Sequence, residues 1–158
     1  MTELAESIVS DAHAGNFLPA GEVSKFSPQQ IRIAIADLVR LDHLHLANAL
    51  LDAGISLYPH SEDILVMGVL LAEMEQDWPR AKIHMQQLLL EQESAATVTS
   101  WQHWIRILRC NHEYHSALHA VRQALEKFPD ASALAEEQQS LIALCDSVNP
   151  AETAALNQ

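Results

Sequence analysis

Nine histidines in 158 residues are the first candidates for chemistry. His115 and His119 are four apart, and His112 precedes His115 by three, so on a helix all three would share one face. Two histidines at this spacing can chelate a divalent metal through their imidazole nitrogens. No acidic or thiol side chain at helical spacing completes the ligand set. His115 and His119 are therefore the metal candidates, set against the plainer expectation of a solvated outer face and no bound metal. Such a cluster could also make a surface respond to pH at about 6. His43 and His45, two apart, are expected to diverge on a helix. Cys110 and Cys145 have no metal-ligand spacing and are expected to be reduced thiols on separate helices.

Other reaction classes find no residues to carry them. Glycines stand only at 15, 21, 54 and 68, too scattered for a phosphate-cradling loop. There is no Cys-x-x-Cys, no His-Glu-x-x-His and no nucleophile elbow, and nothing places two carboxylates in one apolar pocket. The expectation is a protein that is not an enzyme and needs no cofactor. Nine basic against 21 acidic residues give a net charge of −12. That balance opposes nucleic-acid binding, which needs a basic stripe, and adhesion to anionic membranes.

The elements that must position any site read as helices. Apolar residues make up 49% of the chain, glycine is scarce and no run alternates with the two-residue period of a half-buried strand. No apolar run reaches the ~18 residues of a membrane span; the longest, Ile64 to Ala72, is followed at once by Glu73, Glu75 and Asp77. The first residues lack the basic start and apolar middle of a signal peptide, so a cytoplasmic location is expected. Thr2 reads as a helix cap, with Leu4, Ile8 and Val9 on one face up to about Ala14. Asn16 to Phe26 reads as a loop. Its Phe17, Leu18 and Phe26 would cover the open apolar face of the helices that follow, or fold into a groove as a plug. Ser27-Pro28 then opens a helix, with Ser as cap and Pro in the first turn. Asp77 with Pro79 repeats that logic.

A longer pattern joins these pieces. Trp101, Trp104, Ile105 and Leu108 form one apolar stripe, His112 to Tyr114 a break, and Ala117, Val121 and Ala124-Leu125 a second stripe closed by Pro129. Stepping back from Ala117 by 36 residues gives Ala81, and by a further 34 gives Ala47. Each alanine opens a second stripe: Ala47, Leu51, Gly54-Ile55 closing at Pro59, and Ala81, Met85, Leu88-Leu89. The preceding stripes are Ile31, Ala34, Ile35 and Leu38, and Leu65, Gly68, Val69 and Ala72. The second unit has Glu93 where the closing proline should fall, and two extra residues precede the third, in the Ser94 to Thr97 connection.

This pattern resembles the tetratricopeptide repeat (TPR), a helical hairpin of ~34 residues with Trp, small-residue and closing Pro positions. The resemblance covers about two thirds of the chain. It implies an all-α right-handed superhelix of three TPR-like hairpins, about 28–61, 62–95 and 98–131, forming one domain over 1–148. An N-terminal helix precedes them. A capping helix at about 131–146, with Asp130 as its cap, covers the last unit, and residues 149–158 are expected to fray.

In TPR-like stacks the first helix of each hairpin lines a concave groove that grips another protein. Mapped residue by residue, the groove would present Arg32, Val39 and Arg40, then Val66, Leu70 and Met74, then Gln102, Arg106 and Arg109, with Ala36, Asp63, Glu73 and Cys110 beside them. Four of the nine basic residues fall there against two of the 21 acidic ones. The guanidinium fork suits carboxylates, so the implied partner is an extended or helical polypeptide segment with acidic flanks. In the alternative, these arginines pair with Glu and Asp on neighbouring helices. The layout is similar to the class II chaperones and small accessory proteins of bacterial type III secretion systems, which implies a chaperone or adaptor. A structural subunit of a larger assembly, a homodimer, and a metal- or pH-responsive regulator using His112, His115 and His119 are the other readings.

Overall fold

The computed structural model describes residues 1–13 and 23–148. The expected loop at 16–26, apart from its last four residues, and the expected frayed tail lie outside the described residues. The chain divides into two compact units, Met1–Gln92 and Glu93–Gln158. The first holds α1 (Glu3–His13), α2 (Pro28–Arg40), α3 (Leu44–Leu57), α4 (Glu62–Met74) and α5 (Trp78–Gln92). The second holds a single 3₁₀ turn (Glu93–Ala95), then α6 (Val98–Cys110), α7 (Tyr114–Lys127) and α8 (Ser132–Val148). Among the described residues there is no strand, and no helix is long and apolar enough to cross a membrane.

Three hairpins, α2–α3, α4–α5 and α6–α7, each begin with a 13-residue helix. All three make the same turn. Its middle residue has positive φ: 63° at Asp42, 58° at Gln76 and 60° at His112. The next amide reaches back five residues, from His43 to the Leu38 carbonyl (2.9 Å), Asp77 to Ala72 (2.8 Å) and Glu113 to Leu108 (2.9 Å). This is the left-handed helix stop that satisfies the last carbonyls and reverses the chain, and it normally uses glycine. None of the three positions is glycine here. The sequence repeat is therefore clearer in the backbone than in the letters.

Helix starts follow the capping logic of the sequence. The Ser27 hydroxyl accepts from the Gln30 amide and the Gln30 side chain accepts from the Ser27 amide, with Pro28 at the first helical position. The Asp77 carboxylate accepts from the Arg80 amide at 3.1 Å, and Thr2 Oγ1 accepts from Ala5 at 3.4 Å. Asp130 does not cap the last helix. The Phe128-Pro129 turn instead presents the Ala131 carbonyl to the amides of Leu134 and Ala135.

The two proline closures match each other. Tyr58 (φ −134°, ψ 62°) and Phe128 (φ −130°, ψ 66°) end α3 and α7 in one conformation, each before proline. After α5, where that proline is missing, Glu93 takes φ 45° and the chain makes its 3₁₀ turn instead. The division between the units falls at this point.

Packing follows the stripes. Ala47, Ala81 and Ala117 are fully buried, as close approach of paired helices requires. In the first unit α2 packs on α3 and α4, α3 on α4, α4 on α5, and α1 on α2. Its core gathers Leu4, Ile8, Ile31, Ile35, Leu38, Leu50, Leu51, Ile64 and Leu71, with Phe26 against it as the covering role expects. In the second unit α7 packs on both α6 and α8 around Ile105, Leu108, Val121, Leu134 and Leu141, and Trp101 and Trp104 lie half-buried at its edge. A fully buried Leu or Ile contributes roughly 1.5–3 kcal/mol, well above an exposed ion pair. The stripes hold the hairpins.

The helices α4 and α5 approach closely at Gly68. A Cβ built on Gly68 would meet the His84 ring at 2.8 Å. Gly68→Ala should therefore destabilise by about 1–3 kcal/mol, the usual cost of overpacking. In a double-mutant cycle with His84→Ala, most of that cost should vanish; additive costs would show that the ring is not the obstacle. Gln76→Gly should raise stability by roughly 0.5–1 kcal/mol by relieving the positive φ. An unchanged or lowered urea midpoint would contradict this account of the turn.

Candidate functional site

Two hollows hold six of the nine residues mapped to a groove. In the first unit, Ala36 and Val39 of α2 face Met67, Leu70, Leu71, Glu73 and Met74 of α4 across a hollow of about 440 Å³. Spacings of three and four bring the α4 residues to one side of their helix, and the short Ala36 side chain leaves the space. Leu70 is 42% exposed and Met74 57%. Large apolar side chains left open to water in a concave surface are the kind of feature that marks a contact site.

Both mapped arginines of this unit have acidic partners, Arg32 on another helix and the exposed Arg40 on its own. Arg32 Nε lies 2.8 Å from Asp63 Oδ1, linking α2 to α4, in an ion contact without the alignment of a hydrogen bond. Arg40 donates to Asp37 at 2.6 Å. Neither lines the hollow, and nor does the half-buried Val66.

In the second unit, Gln102, Arg106, Arg109 and Cys110 of α6 face Ala133 and Glu137 of α8 across a hollow of about 470 Å³. Arg109 donates to Glu137 Oε1 at 2.6 Å. Intramolecular pairing thus describes Arg32, Arg40 and Arg109. Glu137 is the one charged lining residue that the sequence mapping missed. The available signal was spacing: Arg32 to Asp63 spans 31 residues and Arg109 to Glu137 spans 28, one hairpin each.

The histidines separate. His112 occupies the left-handed turn position, and its Nδ1 contacts the Tyr114 hydroxyl at 2.9 Å, so helical spacing does not carry it to the others. His115 and His119 line a third hollow, of about 440 Å³, with Trp104, Leu108, Ser116, Ala120 and Gln123. Among the described residues no three His, Cys, Asp or Glu side chains group as a metal site. His43 lies in the turn before α3 rather than on it, and its ring meets His45 edge-on, centroids 6.4 Å apart, where the sequence pointed to divergence. Cys110 is half-buried and Cys145 buried, both as free thiols.

Polar contacts hold the first unit's elements in place. The Thr2 amide, 2.6 Å from Asp37 Oδ2, ties the start of α1 to α2 and holds the Asp37 carboxyl below its usual 3.8. The hydrogen bond from His60 at 2.7 Å holds Glu91 below its usual 4.5, with Gln87 assisting. Arg80 donates to Glu75 at 3.0 Å and to Asn48, and Asn48 donates to Glu75 at 2.7 Å, locking the second turn to α3. Beside that network, burial pushes the His84 imidazole below 6.5, and Arg80 adds to the shift while Asp52 and Asp77 oppose it.

These shifts have signs. The neutral His84 ring is favoured in the fold, so below 6.5 the unfolded chain binds more protons and stability falls with pH. Asp37 and Glu91 contribute stability that is complete above 3.8 and 4.5 and is lost as pH falls through their lowered values. His84→Gln should therefore flatten the stability profile just below pH 6.5 while keeping the carboxylate limb at lower pH. Urea unfolding across that range is the check, and an unchanged slope would remove His84 from the account. Compared with protein-family models, with curated proteins and with solved structures, the chain matches none of them.

Proposed function

We propose that this chain is a protein–protein interaction module that holds a partner polypeptide segment against the apolar hollow of its first unit. The observation that carries the reading is the exposure of Leu70 and Met74 in a hollow otherwise lined by Ala36, Val39, Met67, Leu71 and, as its one charged residue, Glu73. An unbranched thioether adapts to differently shaped apolar partners, and the bound segment is extended or helical. No catalytic step belongs to the reading. A cytoplasmic chaperone or adaptor of a bacterial secretion system, built on a TPR-like superhelix, is its extension and rests on the hairpin layout alone.

A specific observation favours the structural-subunit reading as the second choice. Ile83 and Leu90, seven apart on α5, are 66% and 62% exposed. Such a stripe can bury against a neighbouring subunit, including a second copy of this chain.

The two readings separate in one experiment. A photo-crosslinking residue at position 74 in the native host, analysed by mass spectrometry, should trap one dominant polypeptide. Leu70→Asp with Met74→Asp should lose that partner with unchanged circular dichroism, and Ile83→Asp with Leu90→Asp should keep it. Loss only in the second variant, together with a fall in oligomer size, would favour the structural subunit.

A further inference from the structure

We propose that His115 and His119 hold a late first-row divalent cation, such as zinc or nickel, at the third hollow, with its remaining coordination positions open to a donor from another molecule. The proposal goes beyond the polypeptide reading and concerns the second unit. The two histidines stand four apart on α7, a spacing that puts their Cβ atoms about 5–6 Å from each other. Both line the same hollow of about 440 Å³ between α6 and α7. Both are exposed, so each ring can change rotamer without disturbing the core. The helix thus supplies the pair ready-spaced, and only two side-chain torsions per ring remain to be fixed when an ion binds.

The remaining histidines are engaged elsewhere. The other seven of the nine each contact another group of the chain, as His60 does Glu91, His84 the backbone at Gly68 and His112 the Tyr114 hydroxyl. Among the described residues, His115 and His119 have no hydrogen bond, ion pair or ring contact. The two imidazoles without a partner are the two that share a hollow. Gln123, four residues after His119, brings a neutral amide oxygen to the same wall. None of the described lining residues is a carboxylate, so the hollow offers little to magnesium or calcium, whereas imidazole suits zinc, copper and nickel. The net charge of −12 favours the approach of any cation. Structural ions are closed in by four protein ligands. A pair leaves half of a tetrahedral shell to water or to a donor from elsewhere, so the ion exchanges and can join this face to a second molecule.

The test titrates the full chain with Ni²⁺ by isothermal titration calorimetry. His115→Gln and His119→Gln should each weaken binding about tenfold or more, because the second imidazole closes on an ion that the first already holds. His43→Gln with His45→Gln, which removes the other close pair, should leave binding unchanged. Circular dichroism confirms that each variant is folded. Trp104→Phe should keep the binding but lose most of the quenching of tryptophan fluorescence by Ni²⁺, since Trp104 lines the hollow and Trp78 and Trp101 do not. A loss below about twofold in either single histidine variant overturns the paired site. Quenching that survives in Trp104→Phe overturns its location, and displacement of Ni²⁺ by excess Mg²⁺ overturns the class of cation.

Discussion

Every hairpin in this chain depends on one backbone event, the passage of a single residue through the left-handed region at the end of the first helix. At Asp42, Gln76 and His112 the chain stops, turns and satisfies its last carbonyls through an amide five residues on. The turn fixes the register of the second helix and so sets which residues of the two stripes meet. Ala47, Ala81 and Ala117 can sit fully buried only because the turns deliver them to the same place each time. Three non-glycine residues hold a conformation that L side chains rarely adopt, so packing on both sides must impose it. The stripes and the turn specify each other.

Much of this fold was legible in the sequence, because helices depend on periodicity and on local caps. Ser27, Thr2 and Asp77 act at the helix starts where their side-chain chemistry placed them. Asp130 misled, since a capping side chain one residue out of register loses to a backbone carbonyl that proline has already aimed. The break at His112 was legible, but its conformation was not. Asp and His only lean towards positive φ and Gln does not, so the letters do not mark a turn shared by Asp42, Gln76 and His112.

The candidate site was read more coarsely. Spacing correctly joined Leu70 to Met74 and Gln102 to Arg106 and Arg109, because each set lies on one helix. What spacing within one helix could not supply was the facing wall. Asp63 and Glu137 come from the helix after next and engage Arg32 and Arg109. Charge counted along a sequence shows which face is basic, and the geometry between helices then shows how much of that charge is already answered. His112 carries the same lesson, since a turn breaks the arithmetic of helical spacing.

The junction at Glu93 has a consequence for how the chain is made. Where the aromatic-proline closure is replaced by a 3₁₀ turn, one compact unit ends and another begins, and each has a hydrophobic cluster built from helices adjacent in sequence. Contacts between neighbours in sequence form quickly, and a ribosome releases the N-terminal part first at about 5–20 residues per second. The first unit can therefore bury Ile31, Ile35, Leu38 and Leu51 while the second is still in the exit tunnel. Its apolar hollow would then be complete before the chain is.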